Sequence, residues 1–476
     1  MRCAWSCPGW SPADRPVTLP TTALRRRHPD AASVTSAPGD ASKREEHGVH
    51  GVRSRAVLSV VSLVLAGVSV AYPASAASCR ITFRDESWRF GAFTKPDGTS
   101  TNDVSLVDVD GDGHLDVFVS EGTATFEGRQ SHLLMNDGHG RFRDETTRRL
   151  PAISINSGKV AWGDIDGTGR LSALVSGSGD RPGQLLLNDG HGYFRDATDR
   201  LPAEPQTVSA NVTLVDIDGN RTLDALVSNE NPFDPSDDHG AQNWLWINDG
   251  HGRFTDETAT RLPQRLDQTT AVRAGRFTGH RLPDLVVINR GQKRVLVNDG
   301  HGRFTDETAE RFPVTTDPSR DGALHDFRGA GVLDLLVSNS QNAPMTYYRN
   351  DGRGHFTAVP VGIPQLKDEV DSAIALGDLN RDGHIDVFQT NAGPRSNGSH
   401  TFQGGPSRFF AGDGHGHFAD RTADHFPPMP DDPSISVALG DINGDGVQDV
   451  LLGNGSDDTI TGEVPLRLYM SHRTRR

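Results

Sequence analysis

The sequence predicts an all-β protein, a seven-bladed β-propeller with four-stranded blades, in which an amino-terminal strand completes the last blade. Three observations lead to this prediction. A nine-residue acidic element recurs seven times after residue 100, and an Asn-Asp-Gly element alternates with it. Glycine and proline are also frequent, with 52 Gly and 28 Pro among 476 residues, and these are the two poorest helix formers. A helical bundle or a coiled coil is therefore excluded as the main architecture.

The acidic element follows the pattern Asp-x-Asp-x-Asp-Gly-x-x-Asp. Its copies begin at residues 108, 164, 216, 276, 326, 378 and 441. The mean spacing is about 55 residues, and a period of this order with four strands per unit is typical of propeller blades. Seven such units fill the chain after residue 76, so residues 77–476 are predicted to form one propeller domain.

Short apolar runs flank both elements and are predicted to be strands A to D of each blade. In the first unit they are residues 104–107, 117–119, 133–135 and 140–144, and the acidic loop joins strand A to strand B. The Asn-Asp-Gly element joins strand C to strand D. We expect a tight hairpin there, because Asp-Gly favours a turn with positive φ at both central residues.

The two ends of the chain complement each other. The seventh unit ends after its predicted strand C at residues 466–470, and it has no Phe-x-Asp-x-Thr segment of its own. Residues 83–87 (Phe-Arg-Asp-Glu-Ser) match residues 142–146 (Phe-Arg-Asp-Glu-Thr) of the first unit. The amino-terminal strand is therefore predicted to complete blade 7, which removes an open seam and its exposed strand edges.

The repeated acidic loops, together with the Leu-x-Asn-Asp-Gly-x-Gly-x-Phe-x-Asp segments, resemble the FG-GAP/VCBS repeats, whose best-known members are the propeller heads of integrin α subunits. The resemblance extends from residue 80 to residue 470. It implies a seven-bladed propeller, an extracytoplasmic location and calcium in the loops. It implies no single activity, because the family includes adhesion proteins, sugar-binding lectins and some polysaccharide lyases.

Four of the seven loops carry a complete set of oxygen ligands for a cation. Side-chain oxygens at positions 1, 3, 5 and 9 and a backbone carbonyl at position 7 suit Ca²⁺ better than Mg²⁺, and the absence of thiolates disfavours soft metals. The predicted calcium ligands are Asp108, Asp110, Asp112, His114 and Asp116 in blade 1; Asp216, Asp218, Asn220, Thr222 and Asp224 in blade 3; Asp378, Asn380, Asp382, His384 and Asp386 in blade 6; and Asp441, Asn443, Asp445, Val447 and Asp449 in blade 7.

The other three loops match the set of metal ligands less completely. In blade 2, Ser172 cannot replace a bidentate carboxylate, so the loop that begins at Asp164 is a doubtful site. In blades 4 and 5, residues such as Arg276 and Arg328 occupy ligand positions, and these loops are predicted to hold no metal. Acidic turns without metal are the alternative for every loop. An EF-hand is excluded, because the flanking segments are strands and no Glu stands at position 12.

Two further residue types recur around the hairpins. The hairpin histidines occupy equivalent positions of different blades, too far apart to chelate one ion, and are predicted to be solvated turn residues. They are His139, His191, His251, His301 and His415. The Phe that follows each hairpin is predicted to pack between blades.

Residues 51–76 have the features of a secretory signal peptide. Arg53 and Arg55 precede an apolar run too short for a membrane span, and cleavage is predicted after Ala76. An uncleaved anchor and lipidation of Cys79 are the alternatives. Residues 1–50 show no hydrophobic periodicity and are interpreted as disordered or as the product of a start codon assigned too early. The mature chain is predicted to be secreted, monomeric and without a membrane span.

The formal net charge is −15, the wrong sign for a protein that binds nucleic acid through its phosphates, and it suggests cations as partners. We expect a calcium-stabilised binding or adhesion module that recognises an extracellular protein or carbohydrate. Contact is expected on the face of the B–C and D–A loops, where segments 229–243 and 391–408 are long and irregular. A sugar-binding lectin and a polysaccharide lyase-like enzyme are the alternatives. Since the sequence shows no catalytic motif, we expect no enzymatic activity.

Overall fold

The computed structural model describes residues 79–94, 99–123, 128–179, 183–203, 207–230, 240–340, 343–360, 363, 373–393, 403–455 and 466–475. Arg80–Arg475 is one compact unit, and its strands form a ring of seven four-stranded antiparallel blades, as predicted. Within the described ranges, no helix has the length and apolar character needed to cross a membrane. The predicted signal peptide (51–76) and segment 1–50 lie outside the described residues.

Each blade is a meander of strands A to D. The strands of blades 1 to 3 are Ser100–Val107, Asp116–Gly122, His132–Asn136 and Phe142–Asp144; Ser157–Gly163, Ser172–Gly179, Gln184–Asn188 and Phe194–Asp196; and Thr207–Val215, Asp224–Glu230, Trp244–Asn248 and Phe254–Asp256. Those of blades 4 to 6 are Thr269–Gly275, Asp284–Asn289, Arg294–Asn298 and Phe304–Asp306; Ser319–His325, Asp334–Asn339, Thr346–Asn350 and Phe356–Val359; and Ile374–Gly377, Asp386–Gln389, Arg408–Gly412 and Phe418–Asp420. Blade 7 combines Ser434–Gly440, Asp449–Asn454 and Arg467–Arg475 with Cys79–Asp85 as its strand D.

Short elements connect the blades. Single-turn helices follow strand D at Ser87–Phe90, Thr146–Arg149, Thr198–Arg200, Thr258–Arg261, Thr308–Arg311 and Thr422–His425. The small strands Arg129–Gln130 and Ser154–Ile155 pair with each other outside the blades. Blades 2 and 3 share one additional strand pairing, in which Thr207 lies opposite Gly179 and Val208 lies opposite Ser178.

The two ends of the chain close blade 7, and this prediction is confirmed. Strand D pairs with strand C, and the Glu86 amide donates to the Leu468 carbonyl at 2.8 Å. Within blade 1 the same bond joins the Glu145 amide to the Leu133 carbonyl at 3.0 Å. The closure therefore reproduces the contact between strands C and D of a continuous blade.

The apolar core lies between the blades. Seven clusters of buried side chains each combine residues of two neighbouring blades. Phe142, which follows the hairpin of blade 1, packs with Ile442 and Leu451 of blade 7. Phe83 takes the equivalent position in blade 7, and its ring stacks on Phe426 with the centroids 4.1 Å apart. The predicted role of the recurrent Phe is confirmed.

Strand A is the innermost strand, and strand A residues of all seven blades surround a central cavity of about 370 Å³. Two carboxylates beside this cavity join neighbouring blades. Asp103 accepts a hydrogen bond from Lys159 Nζ at 3.2 Å, and Asp321 pairs with Arg273 Nη2 at 2.5 Å. The charged groups of the cavity thus pair with each other across blade boundaries.

Candidate calcium loops

The acidic loops begin where strand A ends and wind around the carboxylate of their first residue. In blade 1, Asp108 Oδ1 accepts the Gly111 amide at 2.8 Å, and Oδ2 accepts the Gly113 amide at 2.9 Å. These glycines have φ of +76° and +89°, a region in which a residue with a Cβ is strained. The two glycines therefore allow the tight winding that brings the side chains of positions 1, 3 and 5 together.

In blade 1 the first three acidic residues form a compact carboxylate cluster. One oxygen each of Asp108, Asp110 and Asp112 lies within 4.8 Å of the others. Asp110 Oδ1 is buried and accepts no hydrogen bond from the described residues. Burial, followed by the charge of Asp112, raises the pKa of the Asp110 carboxyl. A bound cation would give the buried Asp110 oxygen a partner and would offset the repulsion between the carboxylates. These residues therefore fit a calcium ion.

Blade 3 has a second carboxylate cluster. Oxygens of Asp216, Asp218 and Asp224 lie within 4.8 Å of one another. The fifth position is Asn220, whose Oδ1 accepts the Thr222 amide at 2.7 Å. All the predicted ligand residues of this blade thus lie in one loop around the cluster, and they also fit calcium.

Blades 6 and 7 keep the loop, but their third residue is an amide. Asn380 Nδ2 donates to Asp382 Oδ2 at 2.9 Å, and Asn443 contacts Asp445 in the same way at 3.5 Å. The first carboxylate of each loop accepts loop amides as in blade 1. The predicted ligands of these blades are therefore brought into one loop, and calcium binding there stays a prediction.

The ninth residue of the loop has a structural role that sequence reasoning missed. Asp116 is 1% exposed, and it accepts the Val109 amide at 3.2 Å and the Asn136 amide at 2.8 Å. Burial raises the pKa of its carboxyl to about 7. In blade 4, which lacks the ligand set, Asp284 likewise accepts the strand C amide of Asn298, and its loop partner is the amide of Thr278, one position later than in blade 1. This residue ties the loop to the end of strand C in blades with and without the other ligands. The equivalent residues with the same contacts and the same raised pKa are Asp224, Asp386 and Asp449.

Position 7, which is predicted to offer its carbonyl, also brings its side chain onto the hairpin of the same blade. His114 lies against Gly138, where a Cβ atom would come within 2.7 Å of His114 Nε2. In blade 3, Thr222 Oγ1 donates to the Asn248 carbonyl at 3.1 Å. The loop and the hairpin of a blade are therefore in direct contact.

In the loops of blades 2, 4 and 5, which lack the full ligand set, Ser, Thr or Arg side chains occupy positions at which other blades have metal ligands. In blade 2, Ser172 Oγ accepts the strand C amide that the ninth Asp accepts elsewhere, at 3.2 Å. In blade 4, Thr278 Oγ1 donates to Asp284 Oδ2 at 2.6 Å. In blade 5, the Arg328 guanidinium donates to both oxygens of Asp334. In blades 4 and 5, a neutral or a cationic side chain thus binds the ninth residue directly.

The hairpin Asn is a second residue whose role sequence reasoning missed. Asn136 Nδ2 donates to the Leu115 carbonyl of its own loop and to the Ile442 carbonyl of the blade 7 loop, both at 2.9 Å. The only sequence signal is the Asn before the Asp-Gly of five hairpins, which by itself indicates a turn. The side chain in fact links the acidic loops of consecutive blades. The residues that make the equivalent contact with the preceding blade are Asn188, Asn248, Asn298 and Asn350.

The hairpin turn differs from its prediction. Positive φ occurs at Gly138 (+79°) and Gly140 (+73°), whereas Asp137 is not among the positive-φ residues of the described structure. Asp137 Oδ1 instead accepts the amides of His139 and Arg141 at 2.9 and 3.2 Å. The predicted two-residue Asp-Gly turn is wrong, because the Asp side chain closes a longer loop over residues 137–141. The recurrent hairpin histidines are exposed, as predicted.

The predicted ligand face is described only in part. Residues 231–239 of segment 229–243 and residues 394–402 of segment 391–408 lie outside the described residues. At their borders, Asn229 Nδ2 donates to the Gln242 carbonyl at 2.8 Å, and Arg408 pairs with Asp420 at 2.8 Å. These bordering residues therefore have partners within the fold.

The comparison with protein families agrees with the repeat architecture. The sequence profile of FG-GAP-like repeats matches residues 108–175, 326–388 and 399–452, and no curated protein matches the chain significantly. Among solved structures, an Agrocybe aegerita lectin that recognises non-reducing terminal N-acetylglucosamine is 15% identical, with a TM-score of 0.43, over 72% of this chain and 88% of the lectin. A chain of the BBS1N complex with ARL6DN is 10% identical, with a TM-score of 0.48, over 82% of this chain and 96% of that chain. Three stretches of the chain are thus similar to FG-GAP-like repeats, and its own strand topology is that of a seven-bladed β-propeller.

Proposed function

We propose that this protein is an exported, calcium-stabilised propeller that works as a binding or adhesion module and recognises an extracellular protein or carbohydrate without altering it chemically. The observation that carries this proposal is the pair of carboxylate clusters in blades 1 and 3, which occur at the same position of the same repeat. The FG-GAP-like match adds support, because such repeats imply calcium in the loops and a role in binding.

In this proposal calcium acts on the fold. Asp108, Asp110 and Asp112 would hold an ion in blade 1, and the corresponding residues would do so in blades 3, 6 and 7. The ion would neutralise carboxylates that burial and mutual repulsion penalise, and would join the end of strand A to the start of strand B. Residues 77–476 contain a single cysteine, Cys79, so bound ions are the cross-links available to this domain.

We propose that the ligand binds on the face of the B–C and D–A loops. The opposite face consists of repeated loops and hairpins whose polar groups largely bond to one another, as Asn136 does with the Leu115 and Ile442 carbonyls. Binding sites tend to lie on varied loops above a rigid scaffold, and the long segments 229–243 and 391–408 belong to the B–C loops.

Calcium binding is tested by titration calorimetry and by thermal melts of the purified protein in EDTA and in calcium. We expect calcium to bind and to raise the melting temperature by several degrees, as ligand binding to the native state does. Magnesium at the same concentration is expected to have a smaller effect. An unchanged melting curve would count against structural calcium.

The ligand class is tested by a glycan array probed in calcium and in chelator. Calcium-dependent glycan binding would identify a carbohydrate ligand, and each soluble polysaccharide hit would then be checked for cleavage, which would contradict a purely binding role. Absence of glycan binding would leave a protein ligand, tested by binding to cells before and after protease treatment. If the protein binds neither the glycan array nor untreated cells, the proposal is contradicted.

Export is tested by sequencing the amino terminus of the secreted protein, with Ala77 expected as its first residue.

A further inference from the structure

We propose that the calcium loop of blade 3 is completed by residues outside it, Arg261 and Asn298, which position the loop and couple cation binding to the hairpin of blade 4. This inference rests on the calcium binding proposed above. It goes further, because it assigns two positioning residues and predicts which blade boundary responds to the ion.

The first connection is made by Asn298, the hairpin Asn of blade 4. Its side chain is buried, and Nδ2 donates to the Ile217 carbonyl of the blade 3 loop at 2.9 Å. Ile217 lies between two predicted ligands, Asp216 and Asp218, so this bond fixes the peptide that connects them. The other end of the amide, Oδ1, accepts two hairpin amides of blade 4 at 2.9 and 3.0 Å. One side chain therefore spans the ligand loop and the neighbouring hairpin.

The second connection is made by Arg261, at the end of the short helix that follows strand D of blade 3. Its Nη2 lies 3.5 Å from Asp218 Oδ2, and both side chains are 15% exposed. Its Nη1 donates to the His301 carbonyl of the blade 4 hairpin at 2.9 Å. Glu257 holds the guanidinium through Nε. A single cationic group thus contacts a predicted ligand carboxylate and the hairpin of the next blade.

These contacts predict the response to a cation. Binding fixes Asp218 and the Ile217 peptide, which are the partners of Arg261 and Asn298. The hairpin that depends on both side chains should then open less often. The loop of blade 4 itself has Arg276 and Thr278 at ligand positions, so a calcium response of its hairpin has to originate in blade 3.

The boundary between blades 4 and 5 provides a control within the same chain. Asn350 Nδ2 donates to the Phe277 carbonyl at 3.2 Å, and Arg311 Nη1 donates to the Arg353 carbonyl at 2.6 Å. Asn350 and Arg311 therefore make the same hydrogen bonds to backbone carbonyls at this boundary as Asn298 and Arg261 make between blades 3 and 4. The preceding loop, however, has Thr278 at the third position, bonded to Asp284. This hairpin should not respond to calcium.

The test combines calcium titration with hydrogen exchange of the full-length protein in EDTA and in calcium. We expect the amides of residues 299–303 to exchange several-fold more slowly in calcium, because their local opening becomes rarer, and those of 351–355 to change little. Equal slowing of both hairpins, or of neither, while calcium binds would overturn the coupling and leave the proposed function standing. Failure of calcium to bind would overturn both.

Variants separate positioning from general stability. R261Q and N298S are expected to weaken calcium binding to the blade 3 loop by about tenfold, as loss of a residue that orients ligands does, and to abolish the slowing at 299–303. The matched variants R311Q and N350S should lower the melting temperature without changing calcium binding. N298S is expected to fold, since blade 6 has Gly412 at this position. Unchanged calcium binding and exchange in R261Q and N298S would overturn the assignment.

Discussion

The Arg328 guanidinium donates to both carboxylate oxygens of Asp334, at 2.7 and 2.9 Å. Arg328 stands at the third loop position of blade 5, where blades 1 and 3 carry Asp110 and Asp218. A positive charge of the chain itself therefore meets the ninth-position carboxylate in a blade that lacks the ligand set. This pairing balances the charge of the buried carboxylate in blade 5 without a metal ion.

Replacement of Arg328 by Ala is expected to lower the free energy of unfolding by about 3–5 kcal/mol, because it leaves the fully buried Asp334 without its charged partner. Urea denaturation in EDTA measures the effect, and the loss should persist in calcium. R349A removes an exposed arginine from strand C of the same blade and serves as the control. Equal losses in the two variants would show that the buried pair has no special role.

Replacement of Arg221 by Gly is expected to stabilise the protein. Arg221 has a φ of +74° at the sixth loop position of blade 3, where blades 1, 6 and 7 have Gly. A residue with a Cβ costs about 1–2 kcal/mol in this region, and the larger unfolded-state entropy of Gly offsets part of the gain, so R221G should be more stable by about 0.5–1 kcal/mol. R253G changes an exposed hairpin arginine that is not in this region and should lose stability through a larger unfolded-state entropy. Denaturation curves in which both variants lose stability would contradict the prediction.

The sequence was sufficient to predict the ring but only part of the site. Blade number follows from the regular spacing of the loops, and closure follows from the match between residues 83–87 and 142–146. The roles of Asn298 and Arg261 depend on contacts between blades. Asn298 reaches a carbonyl 81 residues earlier in the chain, and no local pattern reports such a contact. The hairpin turn was predicted wrongly for the opposite reason, since a local preference for Asp-Gly was applied where the Asp137 side chain builds a longer loop.

Removal of residues 77–90 is expected to prevent a stable monomer. The deletion takes away strand D of blade 7, including Ile81 and Phe83, which are each 3% exposed, and leaves the edge of strand C unpaired. F83A is a milder variant that should cost about 3–4 kcal/mol through the lost packing against Phe426. W88A alters a 59% exposed side chain of the same segment and should cost little. A truncated monomer that melts like the intact protein, measured by size-exclusion chromatography and thermal melts, would disprove closure by this strand.

Lys293 predicts a pH dependence that does not involve calcium. Its side chain is fully buried, with Nζ donating to the Asp317 carbonyl at 3.1 Å, and burial lowers the pKa of the amine to about 8. An unfolded lysine titrates near pH 10.4, so between pH 8 and 10.4 the unfolded chain binds more protons than the folded chain. Stability from this group therefore increases as the pH rises through that window and is lost as the pH falls through 8.

The comparison of wild type with K293M between pH 7.5 and 10.5 measures this effect. Wild type is expected to gain up to about 3 kcal/mol of unfolding free energy relative to K293M over this range. K159M removes the lysine that pairs with Asp103 beside the central cavity and controls for the loss of one positive charge. The prediction is wrong if the difference in unfolding free energy between wild type and K293M varies with pH no more than the difference between wild type and K159M.

Replacement of Asp110 by Asn is expected to change stability in opposite directions with and without calcium. Without a cation, burial and the charge of Asp112 disfavour the ionised Asp110, so D110N should melt higher than wild type in EDTA. With calcium, the variant loses a charged ligand and should gain less from the ion, so that it melts lower than wild type. D137N alters an exposed hairpin Asp whose pKa is lowered and which accepts two amides. That variant should lose stability by the same amount in both buffers. A D110N shift of the same sign and size in EDTA and in calcium would mean that this carboxylate does not bind the ion.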